Sequence, residues 1–118
     1  MKADLHNHSY FSDGFLSPSE VVNLATLAKC DLFSLTDHDT TNGLAEAQLE
    51  AEKLGLNLIN GVEISAFWRN SAIHIVGLGI DIDSDILQTG LEYNQNLRKI
   101  RAEKIALGLR RSGIKDAL

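Results

Sequence analysis

Each of the four histidines of this 118-residue chain has an acid nearby in the sequence: His6 and His8 precede Asp13, His38 stands between Asp37 and Asp39, and His74 follows Glu63. His6 and His8 are two apart, so in extended backbone both rings project from one face with Cα atoms about 6.5 Å apart, close enough to reach one cation. Alone, that pair fits two ordinary histidines of a polar loop equally well, and Asp13 before Gly14 reads as a turn acid. His38 between two carboxylates suits a metal ligand whose ring Asp37 or Asp39 orients. Glu63 follows the apolar Leu58-Ile59 and Gly61-Val62, which places a carboxylate at the inner mouth of a sheet, a costly position unless it is paired or metal-bound. Its two oxygens allow it to bridge two ions. His74 in Ile73-His-Ile-Val fits a satisfied core histidine as well as a ligand when taken singly. Together, His6, His8, Asp13, His38, Glu63 and His74 absorb every histidine into one imidazole and carboxylate set, the composition of a multinuclear metal site. Without a thiolate, such a set suits Zn²⁺, Mn²⁺ or Fe²⁺ and does not choose among them.

The elements that must carry these residues alternate along the chain. Lys2 to Leu5 reads as a buried strand feeding the polar loop His6 to Gly14. Ser17-Pro18-Ser19-Glu20 predicts a helix start, with Ser17 as N-cap, Pro18 in the first turn and Glu20 closing a capping box. Val21, Leu24, Ala25, Leu27 and Ala28 form its expected apolar face. Leu32 to Leu35 is a second strand running into Thr36-Asp-His-Asp-Thr-Thr. Leu44 to Leu54 is a second helix, with Gly55 placed for a left-handed cap. Leu56 to Val62 is a third strand ending at Glu63, Ser65 to Ser71 is turn-like, and Ile73 to Ile80 is a fourth strand of buried type. From Asp85 to about Ser112 the pattern is helical, with Tyr93, Leu97, Ile100 and Leu107 on one face. Strands alternating with helices in units of about 30 residues indicate parallel βαβ units, which gather their sites at the strands' carboxyl ends.

Composition and charge narrow the class. A content of 44% hydrophobic and 23% charged residues with one proline is that of one globular domain. The longest apolar run, near Ile73 to Ile80, is far shorter than the roughly 18 residues that span a bilayer, and the charged start lacks a signal peptide's apolar stretch, so a cytoplasmic protein is expected. Cys30, the single cysteine, reads as a buried, inert thiol. Residues 1 to 97 hold 14 acids against 4 Lys/Arg, and residues 98 to 118 hold 7 Lys/Arg against 2 acids. An acidic body followed by a basic helix is the asymmetry expected where metal ions and phosphate meet.

Five stretches in this order, Asp4-Leu-His-Asn-His, Ser12-Asp-Gly, Thr36-Asp-His-Asp-Thr, Gly61-Val-Glu-Ile-Ser and His74-Ile-Val-Gly-Leu-Gly, resemble the PHP (polymerase and histidinol phosphatase) superfamily of metal-dependent phosphoesterases. The likeness covers about residues 3 to 80 and is closest to stand-alone 3′,5′-nucleoside bisphosphate phosphatases and RNA 5′-to-3′ exonucleases. It implies an α/β fold: residues 1–82 as the N-terminal part of a distorted (β/α)₇ barrel, and residues 83–118 as a basic helical segment that starts an insertion over the active site. It also implies three divalent ions, with His6 and His8 on one, Asp13 and His38 on a second, and Glu63 bridging the first to a third that His74 also binds. Family members supply each ion with one more ligand from further along: a histidine, and the Asp and His of a closing D-x-H motif. None of these occurs here, so the expectation is that the 118 residues are a portion of a longer enzyme. The implied chemistry is hydrolysis of phosphate esters of nucleotides or short RNA by a metal-bound water or hydroxide, needing no side-chain nucleophile. Arg98 and Arg101 are the candidates for a non-scissile substrate phosphate, since guanidinium groups bind phosphate oxygens bidentately. A non-catalytic scaffold module of a DNA polymerase and a histidinol-phosphate phosphatase share the same ligand pattern.

Overall fold

A computed structural model describes residues 1–111 and 113. Three short strands, β1 (Ala3–Asp4), β2 (Leu32–Phe33) and β3 (Asn57–Leu58), lie side by side in that order. Both pairings are parallel, Ala3 opposite Leu32 and Leu32 opposite Asn57. The two crossovers are the helices α1 (Pro18–Leu27) and α2 (Leu44–Leu54), which pack on each other. This is the parallel α/β arrangement that alternating strand and helix patterns dictate.

Helix α1 starts as its sequence predicts. The Glu20 amide donates to Ser17 Oγ, the Ser17 amide donates to Glu20 Oε1, both at 3.2 Å, and Pro18 occupies the first turn. Its buried face differs from the expected one. Val22 and Ala25 are buried, while Leu24 and Leu27 are exposed. The reason lies in the partner helix: α2 presents Ala47 and Ala51 to the same core, and small side chains on both helices let the backbones approach along the Val22 and Ala25 line. Phe33, Leu35, Leu44 and Leu56 complete this core. Across the helix seam, the Ser19 amide and hydroxyl both donate to Glu46 Oε2, at 2.9 and 3.0 Å. Gly55 ends α2 at φ 73°, the left-handed cap its position implies.

The stretch expected as one strand from Leu56 to Val62 is instead two elements. β3 ends at Leu58, and after Asn60 the chain enters β4 (Gly61–Trp68), which pairs antiparallel along its whole length with β5 (Ser71–Leu78). At Gly61 the chain passes close to the residues after β2: a Cβ there would stand 2.4 Å from Ser34 Oγ and 2.8 Å from Thr36 Cγ2, an approach that favours glycine. The turn-like stretch also shrinks to Arg69 and Asn70, both at positive φ (49° and 66°), the two-residue connection that matches strand twist. β5, expected as a buried strand, is exposed along nearly all its length, because a two-stranded ribbon has few neighbours to bury its side chains.

Helix α3 (Asp85–Arg111) covers the basic segment from Arg98 to Arg111; its expected end, about Ser112, lies outside the described residues, as do residues 114–118. Tyr93, Leu97, Ile100 and Leu107 remain exposed. The helix is held instead by Leu91, which is buried, and by a polar line of side chains described below. No helix among the described residues is long and apolar enough to cross a membrane.

Candidate metal centre

The polar loop after β1 is shaped around one buried carboxylate. Asp37 accepts from the Ser9 amide and hydroxyl, both at 2.6 Å, and from the Ser12 hydroxyl at 2.7 Å. Gly14 closes the loop by passing so near His8 that a Cβ would lie 2.6 Å from the His8 carbonyl oxygen. Asp37 therefore organises the loop that bears His6, His8 and Asp13 and makes no hydrogen bond to His38, so it does not orient that ring as the sequence suggested. Asp39 does not either. It sits at φ 52° with its side chain fully buried, accepting from the Ser65 amide at 2.9 Å, Asn94 Nδ2 at 2.9 Å and Arg98 Nε at 2.8 Å.

Glu63 is brought to His38 by the backbone. The two residues form a parallel bridge in which the Glu63 amide donates to the Asp37 carbonyl at 3.0 Å and the Asp39 amide donates to the Glu63 carbonyl at 2.9 Å. Glu63 is thus the third residue of β4 rather than the residue after a strand end, and the bridge continues the parallel sheet past β2. Opposite β4, Ser65 is paired with His74, which puts His74 on the face of the ribbon that carries Glu63.

The result is one buried carboxylate ringed by imidazoles. Glu63 Oε1 contacts His6 Nε2 and lies 3.4 Å from His8 Nε2; Glu63 Oε2 lies 2.8 Å from both His38 Nδ1 and His74 Nδ1. Asp13 stands on the other side, with Oδ1 2.5 Å from His8 Nδ1 and Oδ2 3.1 Å from His38 Nε2. The rings stack edge to face in a row, with centroids 5.2 Å apart for His6 and His8, 4.4 Å for His8 and His38, and 5.1 Å for His38 and His74. All six residues picked out in the sequence meet here. They fall into three overlapping triads, His6-His8-Glu63, His8-Asp13-His38 and His38-Glu63-His74, whose donor atoms lie within 4.8 Å of one another.

Hydrogen bonds join His6 and His74 to Glu63 and His8 and His38 to Asp13, but they leave part of the cluster unsatisfied. His8 Nε2 and His38 Nδ1 are buried and have no hydrogen-bond partner, although each lies close to a Glu63 oxygen. Two donors on one metal ion, each about 2.0–2.2 Å from it, stand roughly 3 Å apart, which is the spacing seen around Glu63. A cation among these atoms would satisfy both orphaned nitrogens. Burial works against ionisation of Glu63, yet hydrogen bonds from His74 and His6 and the charges of His38 and His8 prevail and hold its carboxyl below the usual range. Asp13 behaves alike: burial opposes its charge, and the His8 hydrogen bond with the His8 and His38 charges outweighs it. Both acids are primed as anions.

Beside the cluster opens a cavity of about 610 Å³ whose wall includes Asp13, His38, His74, Gln95 and Arg98. Sequence reasoning named Arg98 there and missed its neighbours on α3. Gln88 donates to Thr41 Oγ1 at 3.1 Å, Asn94 to the Ser65 carbonyl at 2.9 Å and Gln95 to the Asp39 carbonyl at 2.6 Å. Gln88, Gln95 and Arg98 share one helical stripe with the buried Leu91, and the polarity of those three residues gave no sign that the stripe faces inward. Arg98 uses Nε on Asp39 and Nη2 on Ser65 Oγ at 2.6 Å. Arg101, one turn on, lines a second, smaller cavity.

Comparison with known proteins decides the family. The PHP domain matches residues 4–108. The chain belongs to the PHP domain family. Among relatives of this PHP domain, a 3′,5′-nucleoside bisphosphate phosphatase of Chromobacterium violaceum is 45% identical over 111 residues, covering 94% of this chain and 39% of the relative. The 5′-3′ exoribonuclease Rnm of Escherichia coli is 44% identical over 117 residues, covering 98% and 40%. A solved structure of an amidohydrolase from Chromobacterium violaceum, with bound sulfate and no metal, superposes with a TM-score of 0.90 at 44% identity over 97% of this chain and 40% of its own. A Bifidobacterium adolescentis structure assigned as a metal-dependent phosphoesterase superposes with a TM-score of 0.88 at 28% identity, covering 94% and 39%. The chain thus spans about two fifths of the length of the relatives it matches.

Proposed function

We propose that this chain is the N-terminal part of a cytoplasmic, metal-dependent phosphoesterase that hydrolyses phosphate esters of nucleotides or short RNA. Residues 1–82 are then the opening portion of a (β/α)₇ barrel, and residues 83–118 begin a helical insertion over its mouth. The observation that carries the reading is Glu63: a buried carboxylate with two imidazole nitrogens around each oxygen serves no evident packing purpose and suits a bridge between cations. His6 and His8 with Glu63 would hold one ion, Asp13 and His38 a second, and Glu63 with His74 a third. When bound, divalent ions such as Mn²⁺, Zn²⁺ or Fe²⁺ activate water at neutral pH and polarise phosphoryl oxygens.

The chain's own residues do the rest. The loop built on Asp37 fixes where Asp13 and the His6 and His8 rings point, and the His38 to Glu63 backbone bridge fixes the distance between the two sides of the cluster. In this reading Arg98, held by Asp39 and Ser65 in the wall of the larger cavity, and Arg101 beyond it would receive a non-scissile phosphate. The names of the relatives support the substrate class, since those proteins are a nucleotide phosphatase and an exoribonuclease. The test is metal content after purification by inductively coupled plasma mass spectrometry, with His38→Ala and Glu63→Ala alongside. It is joined to release of inorganic phosphate from a nucleoside 3′,5′-bisphosphate and of mononucleotides from 5′-phosphorylated RNA. Unchanged metal in both variants would refute the ligand assignment.

A further inference from the structure

A second cavity, of about 180 Å³, lies between the β4–β5 ribbon and α3, and it shares His74 and Arg98 with the larger one. Its remaining wall is more apolar, with Ala66, Phe67 and Ala72 from the ribbon and Leu97 from the helix beside Ser65, Asn94 and Arg101. Register explains the ribbon side. Glu63, Ser65 and Phe67 alternate onto one face of β4, and Ser65 pairs with His74 while Phe67 pairs with Ala72. The face that bears Glu63 and His74 therefore continues, two residue pairs further out, into an aromatic ring that is 70% exposed. The helix side follows from spacing: Asn94, Leu97, Arg98 and Arg101 are at i, i+3, i+4 and i+7 and so share one stripe of α3. Asn94 and Arg98 tie that stripe to Ser65, and Leu97 from the helix and Phe67 from the ribbon both line the cavity between them.

We propose that this apolar slot is the subsite for a nucleobase, with Phe67 and Leu97 flanking the base while the phosphate end of the same ligand points to the metal cluster. The inference rests on the phosphoesterase reading for the neighbouring cluster. Three features favour a base over another occupant. The slot is smaller than the roughly 300–1,000 Å³ of pockets that enclose whole small molecules, so it takes one planar group rather than an entire ligand. One of its walls is an exposed aromatic ring, the stacking platform used for unpaired bases in a sequence-tolerant way. Its lining includes Arg98, shared with the cavity beside the cluster, and Arg101 one turn further along α3, two cations that complement an anion attached to that planar group.

The test compares binding of adenosine 5′-monophosphate and ribose 5-phosphate to the 118-residue chain by isothermal titration calorimetry with Mn²⁺ present. Stacking on one aromatic side chain corresponds to a preference of at least about fivefold for the ligand with the base. That preference is expected to collapse in Phe67→Ala and to shrink in Leu97→Ala; both side chains are well exposed, and circular dichroism confirms the fold of each variant. Equal affinity of the two ligands for the wild type, no binding of either, or a preference that survives both substitutions would overturn the proposal. So would sedimentation showing a dimer that Phe67→Ala disrupts, since a second copy would then occupy this face. A separate Mn²⁺ titration without nucleotide reports on the cluster. If Mn²⁺ fails to bind while the base preference holds, the metal reading fails and the base subsite stands.

Discussion

His38 and Glu63, 25 residues apart, are locked together twice: their backbones form a parallel bridge, and His38 Nδ1 lies 2.8 Å from Glu63 Oε2. The bridge holds the carboxylate at the centre of the histidine row, so that its two oxygens serve two sides of the cluster at once.

Changes at Glu63 and His74 are accordingly expected to differ in kind. Glu63→Gln keeps the side chain's size and removes its charge from two triads, whereas His74→Ala touches one. Metal content per chain should fall further in Glu63→Gln than in His74→Ala, and more ions should be lost than one. Equal retention in the two variants, measured by elemental analysis after dialysis, would refute a bridging role.

The Asp39 and Arg98 pair joins a fully buried carboxylate to a half-exposed guanidinium. An exposed pair contributes well under 1 kcal/mol and a broken buried one 3–5, so with Arg98 still partly hydrated the Arg98→Ala cost should be about 1–2 kcal/mol by urea denaturation. The pair also sets a pH dependence. Burial disfavours the Asp39 anion, but hydrogen bonds from Ser65, Asn94 and Arg98 overcome this and hold its carboxyl below the ordinary 3.8. A lowered folded-state value means that the stabilisation is fully present above the unfolded value and is lost as pH falls through the folded one. In chelator, the stability gap between wild type and Asp39→Asn should stay level above about pH 5 and narrow below about pH 4. A gap that widens on acidification would contradict the sign.

Gly14→Ala should damage the loop under the cluster. The added methyl would stand 2.6 Å from the His8 carbonyl oxygen, a backbone atom that cannot move aside without shifting the loop. Forcing such a contact costs about 1–3 kcal/mol. Thermal unfolding should register that loss, and Mn²⁺ affinity should weaken with it, since His8 and Asp13 flank the strained position.

The rotated face of α1 gives a contrast within one helix. Val22 is fully buried and Leu27 is 78% exposed, although their hydrophobicities would rank them the other way. Val22→Ala removes two buried methyl groups and should cost about 2 kcal/mol, whereas Leu27→Ala should stay within about 0.5 kcal/mol. Equal losses in chemical denaturation would mean that the helix packs on the face read from sequence.

How much of this was legible beforehand depends on the range of the interaction concerned. The capping box of Ser17 and Glu20, the left-handed Gly55 and the parallel alternation of strands with helices are set by neighbours a few residues apart, and the chain states them directly. The six imidazole and carboxylate residues were legible for another reason: every histidine of the chain joins one set with nearby acids, and side-chain type alone limits what such a set can do. What required the tertiary structure was the pairing. Asp37 and Asp39 flank His38 identically in sequence, yet one binds Ser9 and Ser12, 28 and 25 residues back, and the other binds Arg98, 59 residues on. Likewise, α3 turns a largely polar stripe toward the body and leaves Tyr93, Leu97, Ile100 and Leu107 exposed, because buried carboxylate and carbonyl groups around Asp39 and Ser65 need donors. Sequence determined which chemistry was available; the long-range register of β4 against the residues after β2, where Gly61 passes close to Ser34 and Thr36, decided which atoms face one another.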